Sequence, residues 1–150
     1  MRRLSNILAT FFGLGYLSFM PGTWGAIAGV VFFYLLSKGV FFLIITCIIT
    51  LVGFIVSDLV AKEKDDSDPS IVVIDEVSGQ MITYIGLSFS WQIALLGFMF
   101  FRFFDILKPF GIRNMEKLRG GYGIMLDDIV AGIYANIVVR VIVLVWNILI

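Results

Sequence analysis

The chain has no histidine. That removes phosphohistidine intermediates, imidazole bases and histidine-based metal sites. It has one cysteine, Cys47, so no intrachain disulfide forms and nothing implies an oxidising compartment. Cys47 sits between Thr46 and Ile48 in an apolar run and reads as an apolar filler rather than a nucleophile. Net charge is also lacking: 11 basic residues balance 11 acidic ones. No Lys/Arg tract is present to follow a phosphate backbone, so no nucleic-acid partner is expected. No feature implies an obligate protein partner, and there is no internal repeat, linker or low-complexity tract.

Several phosphate-handling signatures are missing too. There is no Cys-x5-Arg loop, no Asp-x-Asp-x-Thr/Val nucleophile motif and no Asp-Gly-x2-Ala-Arg pattern. Cysteine-dependent phosphatases, aspartyl-phosphate chemistry and CDP-alcohol phosphotransferases are therefore unsupported.

What is present is apolar. Hydrophobic residues make up 60% of the 150, with 15 Phe, and mean hydropathy is +1.03. Such a composition lies outside the range of a soluble globule and predicts an integral membrane protein. The length suits one domain, residues 1–150. Residues 40–61 and 129–150 are apolar runs of 22, enough to cross a hydrocarbon core of roughly 30 Å as helices. Other apolar stretches are broken. Residues 4–20 contain Gly13 and Gly15 and stop at Pro21, residues 24–36 are short, and Ser88-Phe89-Ser90-Trp91 divides residues 80–107 into a hairpin. Short helices need neighbours to satisfy their freed backbone groups. The expected fold is therefore all-α, a compact polytopic helical membrane bundle with short, broken helices. The segment 4–20 is expected to be surface-lying or re-entrant.

Arg2 and Arg3 begin the chain, and Lys62, Lys64, Lys108, Arg113, Lys117 and Arg119 lie in the polar connections 62–70 and 108–125. The positive-inside rule puts these in the cytoplasm and the breaks at Lys38-Gly39 and Ser88–Ser90 outside, with the C-terminus pointing out. Met1-Arg2-Arg3 before apolar residues resembles a signal peptide, but no small-residue cleavage site precedes polar sequence, so the N-terminus is expected to be retained.

Against this background, three acidic islands stand beside apolar segments, all on the expected cytoplasmic side. Such carboxylates are costly near lipid and mark function by default. Asp75 and Glu76 follow four β-branched residues, 71–74. A helix is expected to start at Asp68-Pro69, since Asp caps and Pro fits a first turn. On that helix Gly79, Gln80 and Thr83 share the face of Glu76, a small and polar stripe that turns the acid into the bundle. The alternative is a pair of solvated interfacial acids.

Asp105 is spaced by three from both Arg102 and Lys108. Either the three form a structural salt-bridge ladder, or Asp105 binds a metal while the cations hold an anion. Asp127 and Asp128 follow Gly120, Gly121 and Gly123 and open the last apolar segment. Placed there, they either serve a site or merely complement a helix dipole. Ala131, Gly132, Ala135 and Asn136 lie on the face of Asp128 and suit close helix packing. Pro21-Gly22-Thr23-Trp24-Gly25 is either an ordinary helix break or a turn where Thr23 caps the next helix and offers its hydroxyl to phosphate. Arg140, deep in the last segment, has no evident partner in the sequence. Oxygen-only ligands with Arg and Lys nearby favour Mg²⁺ binding a phosphate.

Four motifs in order resemble the phosphatidylglycerophosphatase A family. They are Pro21-Gly22-Thr23-Trp24-Gly25, Ile74-Asp75-Glu76-x2-Gly79, Arg102-x2-Asp105-x2-Lys108-Pro109, and Gly120-Gly121-x-Gly123-Ile124-Met125-x-Asp127-Asp128. The resemblance runs from about Phe12 to Asn136. It implies an all-helical enzyme of the bacterial inner membrane. It also implies Mg²⁺-dependent removal of the terminal phosphate from phosphatidylglycerophosphate. Two departures stand out: Gly111 where the family usually has a second Pro, and Ala26 where it often has Ser. The resulting expectation is a phosphomonoester hydrolase whose catalytic set is Asp75, Glu76, Asp105, Asp127 and Asp128. Glu76, Asp105 and Asp128 are expected to hold the metal, and Thr23, Arg102 and Lys108 the phosphate. The substrate is expected to be a phospholipid presented by the membrane, with the site on its cytoplasmic face. A small cation transporter with acids lining its path is the alternative.

Overall fold

A computed structural model describes residues 2–37, 39–115 and 117–149. Among them are only helices and connections: α1 (Arg2–Ala9), a 3₁₀ turn (Leu14–Tyr16), α2 (Pro21–Leu36), α3 (Val40–Lys64), α4 (Ile74–Thr83), α5 (Trp91–Leu107), α6 (Ile112–Met115) and α7 (Gly121–Leu149). The all-helical expectation holds. Lys38, in the expected outward turn, lies outside the described residues, as do Met1 and Ile150.

Two helices, α3 and α7, are long and apolar enough to cross a membrane. Only 28% and 22% of their most apolar windows are buried in the protein. A soluble core helix would hide most of that surface. Here Phe41, Leu51 and Ile55 of α3 and Leu144 and Trp146 of α7 stay exposed, as helices facing lipid require.

Helix ends follow local chemistry. Pro21 occupies the first turn of α2, where its missing N–H costs nothing. The Ser90 hydroxyl accepts from the Ile93 N–H at 3.2 Å and starts α5. Lys62 and Lys64 lie in the last turn of α3, the favourable end of its dipole.

Two expected starts were misplaced. The helix carrying Asp75 begins at Ile74, not at Asp68-Pro69. The Val73 N–H instead donates to the Ala9 carbonyl at 3.0 Å, and Val72 closes a turn onto Pro69. A tertiary bond thus holds residues 71–73 out of the helix. The second correction is α7, which begins at Gly121, eight residues before the apolar run. Gly121 packs on α3 so closely that a Cβ there would stand 2.3 Å from the Phe54 carbonyl oxygen, and its N–H donates to the Asp58 carboxylate at 3.4 Å. The glycine run is therefore a contact surface, not a loose loop.

The ten-residue α4 is the centre of the bundle: Ile74, Asp75, Val77, Ser78, Gly79, Gln80, Met81 and Thr83 are all buried. Helices α2, α3, α5 and α7 pack around it. Tyr84, just past its end, stacks on Phe33 of α2 at 4.1 Å between ring centroids and donates to the Ala94 carbonyl of α5 at 2.6 Å. Helices α4 and α7 also approach closely. A Cβ on Gly132 would meet the Gly79 carbonyl oxygen at 2.3 Å, and one on Gly79 would meet the Asp128 carbonyl oxygen at 2.6 Å. The small face read from Asp128 thus does pack against the face read from Glu76.

Candidate active site

The packing of α4 against α7 sets the first turn of one beside the second turn of the other. Asp75 and Glu76 on α4 and Asp128 on α7 each direct a carboxylate oxygen inward, and these oxygens lie within 4.8 Å of one another. Asp75 and Asp128 are buried, and Glu76 is half-buried. Asp75 Oδ1 and Glu76 Oε2 are shielded from solvent with no hydrogen-bond partner among the described residues. Burial drives the Asp75 carboxyl well above the usual range, and the charges of Glu76 and Asp128 add to it. Burial likewise pushes Glu76 up to about 7, while a hydrogen bond with Asp75 and the guanidinium of Arg102 pull it back. Three carboxylates this close and this dry need a counter-charge to be ionised together.

A cavity of about 300 Å³ opens on this group. Its wall takes Met20, Pro21 and Gly22 from the start of α2, Asp68, Ser70 and Val72 from the connection before α4, Arg102, Asp105, Ile106 and Lys108 from the end of α5, and Asp127 and Asp128 from α7. Arg102 and Asp105, three apart on α5, pair at 2.5 Å. Lys108 also reaches a different helix. It is the residue after α5, in the left-handed conformation at φ 46°, and its amine pairs with Asp127 at 2.6 Å. Asp127 in turn accepts the Asp128 N–H at 3.0 Å, which steadies the neighbouring acid.

The expected residues are thus mostly gathered, with differences. The tight carboxylate group contains Asp75 where the sequence placed Asp105. Asp105 lies on the same cavity, held by Arg102. Asp127 and Asp128 sit beyond the first turn of α7, where a dipole has little hold on them, so that bland reading fails. Thr23 does not cap α2. Met20 holds the cap position, and the Thr23 hydroxyl is buried, with no hydrogen-bond partner among the described residues, and off the cavity wall.

The Pro21–Gly25 motif contributes through its glycines instead. A Cβ on Gly22 would stand 2.1 Å from Glu76 Oε1, and one on Gly25 would stand 2.8 Å from the Val73 carbonyl oxygen. Neither has an unusual φ; each lets α2 approach α4. Gly22, Asp68 and Ser70 were missed as wall residues. Only Gly22 carried a signal, as the glycine of a motif whose role was read from Thr23.

A model described as PgpA: Phosphatidylglycerophosphatase A matches residues 7–143. The chain belongs to the phosphatidylglycerophosphatase A family. It is 44% identical over 139 residues to a phosphatidylglycerophosphatase A of Haemophilus influenzae, covering 89% of this chain and 85% of that one. The corresponding protein of Escherichia coli K12 is 35% identical over 132 residues, covering 85% and 77%. A putative phosphatidylinositol-3-phosphatase of Bacteroides thetaiotaomicron is 36% identical over 150 residues, covering 92% of each. No solved structure matches the chain.

The two departures from the family pattern are harmless to this site. Gly111 takes φ 88°, a conformation that glycine adopts freely, after Phe110 at φ 52°. Ala26 is fully buried among Phe101, Phe104 and Ala131, where a methyl needs no hydrogen-bond partner.

Proposed function

We propose that this phosphatidylglycerophosphatase A family member is an Mg²⁺-dependent lipid phosphatase, hydrolysing phosphatidylglycerophosphate to phosphatidylglycerol and phosphate. The observation that carries the reading is the Asp75–Glu76–Asp128 group beside Arg102 and Lys108 on one cavity. The protein works as a single domain in the bacterial inner membrane, crossing it several times, with the cavity open to the cytoplasmic face. Support comes from the apolar exposure of α3 and α7 and from the basic connections.

The donor set fits magnesium. It is oxygen only, and two of its buried oxygens have no hydrogen-bond partner among the described residues. Asp75, Glu76 and Asp128 would hold the ion, with Asp105 beside them. Bound there, magnesium neutralises phosphate charge and makes water more acidic. Arg102 presents a planar guanidinium to phosphate oxygens while Asp105 holds it in place. Lys108 adds a point charge, anchored by Asp127. Water attacks phosphorus, a carboxylate of the group takes its proton, the bond from phosphorus to the glycerol oxygen breaks, and a proton passes to the departing oxygen to give the free hydroxyl. Met20 and Ile106, both exposed, mark the edge where acyl chains remain in the bilayer while the headgroup enters.

The transporter alternative draws no support, because the carboxylates gather in one cavity rather than along a path. The headgroup is the point where the relatives differ in name, so the test includes several. Purified protein is assayed for phosphate release from phosphatidylglycerophosphate, phosphatidylinositol 3-phosphate and phosphatidic acid, with and without Mg²⁺. Asp105→Asn and Asp128→Asn are each expected to lose roughly 10²–10³-fold in turnover at normal expression. Near-normal turnover in both variants sinks the assignment.

A further inference from the structure

Arg140 lies twelve residues beyond Asp128, about 18 Å along α7. No part of the cavity reaches it. Yet a guanidinium inside a membrane-crossing segment calls for a named partner, and the structure supplies one. Its Nη2 donates to the Ile85 carbonyl at 2.7 Å, and its Nε donates to Asn136 Oδ1 at 2.8 Å. Asn136, one turn earlier on the same helix, donates through Nδ2 to the carbonyls of Thr83 at 2.7 Å and Ile85 at 3.0 Å. The Thr83 hydroxyl donates to the Gly79 carbonyl of its own helix at 3.1 Å and reaches the Gly132 carbonyl of α7 at 3.5 Å. Gly86, at φ 71°, leaves the space: a Cβ there would stand 2.3 Å from Arg140 Nη2.

Three of these bonds, from Asn136 Nδ2 to Thr83 and Ile85 and from Arg140 Nη2 to Ile85, fall on carbonyls at the C-terminal end of α4, where a helix leaves carbonyls without intrahelical partners. In an apolar surround no water substitutes for the missing donors. Helix α4 stops in the middle of the bundle after ten residues, so its end must be satisfied from outside. The donors come from α7, which also carries Asp128.

This matters because the contact between α4 and α7 is smooth where the two helices come nearest through glycine. Gly79 faces Gly132 with no side chain on either. Small residues permit close approach but offer no knob to stop one helix sliding along the other. A slip of one residue is about 1.5 Å, whereas a ligand constellation tolerates roughly 0.5 Å.

We propose that Asn136 and Arg140 are positioning residues. They clamp the end of α4 to α7 and so set the register that brings Asp75 and Glu76 to Asp128 at the opposite end. The clamp rests on the magnesium reading above only for its readout.

The experiment uses the full chain in detergent or nanodiscs, with Asn136→Leu, Arg140→Gln and the milder Arg140→Lys, which keeps a donor for Ile85. Mg²⁺ is titrated with thermal unfolding as the readout, and the Mg²⁺ concentration for half-maximal phosphate release is measured in parallel. Expected are a tenfold or greater rise in half-saturating Mg²⁺ for Asn136→Leu and Arg140→Gln by both measurements, and a smaller rise for Arg140→Lys. Metal-saturated turnover is expected to change less than the half-saturation value, which a merely destabilised protein would not show. Should the stronger variants not fold, Arg140→Lys alone must still raise the half-saturation value. Folded variants that match the wild type in half-saturating Mg²⁺ overturn the clamp. A wild type with no Mg²⁺-dependent thermal shift overturns the metal reading instead.

Discussion

Replacing Gly22 with alanine would put a methyl carbon 2.1 Å from Glu76 Oε1 and 3.4 Å from an Arg102 guanidinium nitrogen. An ordinary carbon-to-oxygen approach is about 3.3 Å, so the carboxylate must retreat by roughly 1.2 Å. It can do so cheaply, because the atom in the way ends a flexible side chain. Alanine is also the better helix former by up to about 1 kcal/mol. The fold should therefore survive, with a melting temperature in the absence of metal at or above that of the wild type. The site should not survive intact. A misplacement of about 1 Å in a catalytic constellation costs on the order of 10²-fold in rate. Gly22→Ala is accordingly expected to release phosphate from phosphatidylglycerophosphate roughly 100-fold more slowly, with half-saturating Mg²⁺ raised as Glu76 leaves the group. Steady-state phosphate release across a Mg²⁺ titration, paired with thermal unfolding, measures both. A stable Gly22→Ala protein with wild-type kcat/KM and Mg²⁺ dependence would refute the close approach of α2 to Glu76.

Two further outcomes follow from the site. Chelation should lower the unfolding temperature and Mg²⁺ should restore it, since saturation at 100 times the dissociation constant contributes about 2.7 kcal/mol; a melting curve indifferent to both contradicts the carboxylate group as a metal site. Lys108→Met leaves Asp127 buried without its amine partner and should destabilise by about 3 kcal/mol. Asp127→Asn in the same chain should recover part of that, and a strictly additive double-mutant cycle would show that the pair is not coupled.

The residues of the candidate site were largely legible because they stand out by type. Carboxylates at 75, 76, 105, 127 and 128 and cations at 102 and 108 stood out against an apolar chain, and all of them line one cavity. Helical periodicity also carried the inward faces of Glu76 and Asp128, since a spacing of three or four selects one side of any helix. Helix starts were less legible. Val73 gives its N–H to Ala9, and Gly121 settles on α3; both choices are made by distant parts of the chain.

By itself, the sequence determined that this protein is helical, apolar on its outside and equipped with acids and cations that lipid would not tolerate idly. Those properties follow from composition and short-range spacing, which every conformation of the chain shares. Only the tertiary structure decided that Asp75 rather than Asp105 completes the tight carboxylate group, that Lys108 turns to Asp127, that Gly22 rather than Thr23 shapes the cavity, and what Arg140 holds. Each is a distance between helices far apart in the chain. Such distances are set by how closely glycine faces approach and where unsatisfied carbonyls find donors, and no local pattern records them.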